Sequence, residues 1–129
     1  QIAVDKASRK ILCARSIAQG GCHDLKLLRK SRLRFKPETR ALLDRGYTGF
    51  QHTHANSAIP KRKWPGKPLA PADKARNREL AKERVLVENV IAWLKRFRIL
   101  AERYRNRRKR FGLRFSLIAG IYNFEVKTE

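Results

Sequence analysis

The apolar residues Leu80, Val87, Val90, Ile91, Leu94 and Phe97 recur at helical steps in an otherwise charged stretch that begins at Asp73. With about 3.6 residues per turn, they line one side of a long helix and leave its charged residues around the rest. Such a helix is unstable until its stripe is covered, so the remaining chain must supply an apolar layer. At 129 residues, 42% of them hydrophobic, the chain can build one such core but not two comfortable ones. The fold is therefore read as a single domain.

The covering layer is legible in outline. Two short apolar runs, residues 1–4 and 11–14, flank a polar segment and read as a hairpin. Asp24 stands before Leu25-Lys26-Leu27-Leu28 as the expected N-cap of a short helix. Residues 40–43 form a brief strand that ends on Asp44, and Gly46 and Gly49 punctuate the turn after it. Residues 58–60 are read as one more short strand, residues 61–71 as a basic loop rich in Pro and Gly, and residues 113–124 as a final apolar helix. This order predicts an α/β domain with helices packed on a small sheet. The chain contains no Met and starts at Gln1 inside a strand, which is how an N-terminally truncated domain reads.

Lys and Arg number 32 against 11 acids, a net charge of +21. That excess repels itself unless a polyanion is the partner, and nucleic acid is the first expectation. No apolar stretch approaches the roughly 18 residues of a membrane span, so no membrane role is expected. The dense block Arg103, Arg105, Arg107, Arg108, Lys109 and Arg110 is assigned to DNA phosphate contact, with a solvated helix face as the alternative. Cys13 and Cys22 are too few for a disulfide framework or zinc site and read as reduced thiols of a cytoplasmic protein. His23, His52 and His54 lack the further ligands of a zinc site and are read as loop histidines near DNA.

Glu88 is an isolated acid on the basic helix, with Arg84 four residues before it and Lys95 seven after. At about 100° per residue the three side chains fall within about 40° of one another. An ordinary ion pair with Arg84, worth about 0.2–0.5 kcal/mol, accounts for part of this pattern. The other reading is a metal-holding carboxylate with cations placed for phosphate oxygens. Asp44 has the same two readings, turn cap or ligand. Metal-assisted phosphoryl transfer needs acids from separate elements converging on two ions about 3.5–4 Å apart.

Asp44-Arg45-Gly46-Tyr47-Thr48-Gly49 resembles the D-x-G-Y-x-G segment around the second catalytic acid of DDE-type insertion-sequence transposases. Arg84, Glu88 and Lys95 match the R-x3-E-x6-K spacing around their third acid, and His23-Asp24 resembles the H-D pair of the IS-five group. The resemblance implies a ribonuclease-H-like core with Asp44 and Glu88 as catalytic, metal-binding acids and a long catalytic helix. It also implies two Mg²⁺ or Mn²⁺ ions, DNA at transposon ends and target as partner, with Arg84 and Lys95 on its phosphates, and a homodimer as one assembly open to it. A bacterial, nucleoid-associated location follows from the same likeness. The first acid has no match: Asp5 is the nearest candidate, and it sits in a hairpin turn. Ala81 also departs from the Tyr of the fuller signature. The IS-five group often lacks that Tyr, and it is the missing first acid that implies a C-terminal portion inactive alone. The alternative is a non-catalytic basic nucleic-acid-binding protein.

Overall fold

A computed structural model describes residues 1–15, 23–102 and 110–128. The elements run β1 (Ile2–Val4), β2 (Ile11–Ala14), α1 (Asp24–Lys30), β3 (Ala41–Leu42), β4 (Ser57–Ala58), α2 (Pro71–Leu94), α3 (Arg98–Ala101) and α4 (Phe111–Thr128), with two 3₁₀ turns, Arg45–Tyr47 and Phe50–His52, between β3 and β4. This is the mixed α/β composition expected. The chain divides into two compact units, one of Gln1–Cys22 with Leu86–Glu129 and one of His23–Val85. Among the described residues, no helix is long and apolar enough to cross a membrane.

The first unit holds the hairpin, the end of α2, α3 and α4. β1 and β2 pair antiparallel, Ile2 with Ala14, Ala3 with Cys13 and Val4 with Ile11. Leu12 is skipped by that register and is 69% exposed, as the extra residue of a bulge would be. Ile11, Val90, Leu94, Phe115, Ile118, Ala119 and Tyr122 form the core. Trp93 packs against it, its ring 5.1 Å from that of Tyr122 and 5.3 Å from that of Phe97. Cys13 is a half-buried free thiol, and Cys22 lies outside the described residues.

The predicted stripe is correct at Val90 and Leu94, but α2 stops at Leu94. Lys95 N–H still bonds to Ile91 O, after which Arg96 and Phe97 bond only three residues back, to Trp93 O and Leu94 O. This tightened turn ends the helix. Phe97 becomes the N-cap of α3, and its side chain still meets the core.

Asn123 of α4 stands in for a neighbouring strand. Its Oδ1 accepts from Ile11 N–H at 2.7 Å, and its Nδ2 donates to Ile11 O at 2.8 Å. Both backbone groups of Ile11 are thereby satisfied away from β1. Asn123→Ala is expected to lower stability by about 1–3 kcal/mol, because the two groups lose their partners beside the core. Urea denaturation reads this, and a change below about 0.5 kcal/mol would show that the pairing is unimportant.

The second unit builds its core from Leu28, Ala41 and Phe50, with Leu25, Leu33, Phe35, Leu43, Tyr47 and Ile59 packed around them. β3 and β4 pair in parallel, Ala41 with Ser57 and Leu42 with Ala58. Arg40 beside β3 is tied to Glu83 of α2 by two hydrogen bonds of 3.1 and 3.2 Å. Pro71 opens α2, two residues before the expected start, at a position where the missing N–H costs nothing. His54 corrects the reading of loop histidines near DNA. It is buried, its ring lies 5.6 Å from Phe35 and 6.0 Å from Phe50, and Nε2 donates to Thr39 O at 2.7 Å.

Candidate active site

Asp44 follows β3 and is the N-cap of the first 3₁₀ turn, accepting from Arg45 N–H at 2.6 Å. The turn-capping role is thus real. The same oxygen, Oδ1, also accepts from Arg84 Nη1 of α2 at 3.2 Å. Two residues of separate sequence motifs, 40 positions apart, therefore meet within one unit. Side-chain exposure is 27% for Arg84 and 54% for Asp44, so the pair is worth about 0–1 kcal/mol. Such a pair can exchange for another ligand at little cost.

The turn after Asp44 rests on the start of α1. The expected cap, Asp24, is instead the first helical residue, and His23 is the N-cap, with Nδ1 accepting from Leu25 N–H at 3.4 Å. Asp24 turns its carboxylate toward Gly46, where an added Cβ would run into Asp24 Oδ2. Gly46 leaves room for that carboxylate, and a Cβ there would oblige the exposed Asp24 side chain to shift. Tyr47 is within electrostatic reach of both carboxylates. Burial first, and the negative charges of Asp24 and Asp44 next, raise its phenol above the ordinary tyrosine range. It stays neutral and packs against the core of Leu28, Ala41 and Phe50.

Glu88 belongs to the first unit, in the last two turns of α2. It is exposed and makes no ion pair among the described residues. The ordinary ion pair with Arg84 is not formed, since Arg84 pairs with Asp44 instead. Lys95 is exposed in the turn just past the helix, and Arg110 is exposed before α4. Arg103, Arg105, Arg107, Arg108 and Lys109 lie outside the described residues. Asp5 caps the hairpin loop, accepting from Ser8 N–H at 2.8 Å and from Ser8 Oγ, and those hydrogen bonds hold its carboxyl below the usual range.

No group of three or more His, Cys, Asp or Glu side chains among the described residues is arranged to hold a metal. The individual donors nonetheless suit a hard divalent ion. Asp44 and Glu88 offer carboxylate oxygens, the ligand type of Mg²⁺ and Mn²⁺, and the hydrogen bonds of Asp44 fall on Oδ1 alone.

The chain matches the DDE superfamily endonuclease family over residues 1–123. It is 41% identical over 126 residues to a probable transposase for insertion sequence element IS702 of Microchaete diplosiphon, a match that covers 98% of this chain and 45% of that protein. The chain thus spans about half the length of its curated relative. No solved structure matches it. Asp44 and Arg84, which the fold brings into contact, both lie inside the matched region, and the chain belongs to the DDE superfamily endonuclease family.

Proposed function

We propose that this chain is a single, partial ribonuclease-H-like catalytic domain of a DNA transposase, carrying the second and third catalytic acids, Asp44 and Glu88. The observation that supports this most is the Arg84 to Asp44 contact at 3.2 Å. It joins the cation of the helix motif to the acid of the turn motif, where a surface pairing of Arg84 with its own helix would have left them unrelated. In the intact enzyme, Asp44 and Glu88 would hold Mg²⁺ or Mn²⁺, which activates the attacking oxygen and neutralises the leaving one. Arg84, released from its weak pair, takes a non-bridging oxygen of the scissile phosphate. Lys95 and Arg110 contact the flanking backbone with the basic block before α4. Water attack frees a 3′ hydroxyl at the transposon end, and that hydroxyl then attacks a target phosphodiester, one P–O bond forming as another breaks.

Gel-shift titration of this chain at rising salt tests the DNA half of the proposal. Affinity is expected to fall by about 10³-fold or more between 50 and 200 mM salt, as for proteins that neutralise six or more phosphates. A flat salt response would remove the basic block from the interface. A Mn²⁺-dependent nicking assay on a full-length transposase carrying the segment tests the chemistry. Binding without nicking there favours a non-catalytic nucleic-acid-binding protein instead.

A further inference from the structure

Residues 61–67 form a small hairpin that the site above does not use. Trp64 and Lys67 make an antiparallel bridge, with Lys67 N–H bonded to Trp64 O at 3.1 Å. Pro65 and Gly66 make the tip, and Gly66 has φ +73°, the pattern of a type II turn. The base is clamped to α2. Asn77 Oδ1 accepts from Lys61 N–H at 2.9 Å, its Nδ2 donates to Lys61 O at 3.0 Å, and Lys61 Nζ reaches Asp73 at 2.7 Å. The tip is thus mounted on a helix by both ends of one amide and an ion pair.

This mounted turn holds its indole outward: Trp64 is 60% exposed. A lone exposed aromatic means little, but this one is ringed by cations. The Arg62 guanidinium sits 4.9 Å from the ring centroid, Lys63 and Lys67 are exposed beside it, and residues 61–71 contain no acid. A cation on one face of the ring orients it and leaves the rest of its surface to solvent. An aromatic plane among backbone-neutralising charges is how proteins hold nucleic acid that has an unstacked base. Bases within a duplex are already stacked on one another, so the ligand is an unpaired one.

We infer that the hairpin of residues 61–67 is a DNA-holding element in which Trp64 stacks on an unpaired base while Arg62, Lys63 and Lys67 take the phosphates on either side. The inference rests on the reading of the chain as part of a protein that acts on DNA. It adds a contact to unpaired DNA, separate from Asp44, Glu88 and the basic block.

The test titrates the whole chain with a short oligothymidylate and with a blunt duplex of the same length, following tryptophan fluorescence and gel shift. Wild type is expected to show fluorescence quenching with the single strand. Trp64→Ala should abolish that quenching and weaken single-strand binding by about 5- to 150-fold, the loss of one stacked base, with the duplex affinity unchanged. Trp64→Phe, which keeps an aromatic plane, should recover most of the binding. Equal losses on both probes, or no loss on either, would overturn the inference while leaving DNA binding intact. Failure of the wild type to bind either probe would overturn the DNA reading and this inference together.

Discussion

Glu88→Gln, introduced into a full-length transposase that carries this segment, is expected to cut strand cleavage by roughly 10³-fold or more, the scale on which catalytic groups that act together fail when one is lost. DNA binding should be unchanged. The amide keeps the size and helix-forming character of the acid, and Glu88 is exposed with no ion pair among the described residues, so no contact depends on its charge. A substitution there is expected to alter stability by no more than about 0.5 kcal/mol. What the change removes is one negative oxygen able to hold a divalent ion. Nicking assays in Mn²⁺, run beside gel shifts of the same preparations, separate these effects. Wild-type cleavage by the variant would remove Glu88 from the site.

Leu94→Ala should destabilise the first unit by about 2–5 kcal/mol, the range for a buried leucine whose neighbours cannot collapse into the space it leaves. Leu94 is 4% exposed and belongs to the same core as Val90, which is 1% exposed. Ile91, three positions before Leu94, is 36% exposed, and Ile91→Ala should cost about 1 kcal/mol or less because much of its surface already meets water. Urea midpoints of the two variants supply the comparison. Similar losses at both positions would mean that the stripe is not the buried face.

The comparison of Leu94 with Ile91 also shows how far sequence periodicity reaches. Spacing alone placed both on the stripe, and it located β1, β2, α2 and α4 to within a few residues. It could not rank neighbours at the stripe's edge, where burial depends on what packs against them. The end of α2 was missed for a related reason: Phe97 keeps an apolar, core-facing position after the backbone has tightened at Lys95, so its pattern continues beyond the helix. His54 was misread because a polar residue in a loop carries no sign of the Phe35 and Phe50 rings that the fold brings to it.

Asp44 was legible from its motif, but its partner was not. Helix geometry offers Glu88 to Arg84 one turn away, whereas the contact to Asp44 depends on how β3 and α2 meet. Gly46 held a further clue. A glycine beside a candidate ligand is readily taken for turn chemistry, and here it makes room for Asp24. Trp64 carried its own signal, an aromatic among cations in a Pro-Gly turn, and only its exposure and its clamped base distinguish it from a residue of the core.

The two units differ in how their sequence is gathered, and this orders their appearance on the ribosome. His23–Val85 is one uninterrupted stretch, so its core is complete while the rest is still being translated. Gln1–Cys22 belongs with Leu86–Glu129, and the Asn123 pairing to Ile11 spans 112 residues. The hairpin is therefore made long before the helix that completes it. At about 5–20 residues per second it waits roughly 6–22 seconds for Asn123 of α4, with its apolar face uncovered and β2 lacking the amide that completes it.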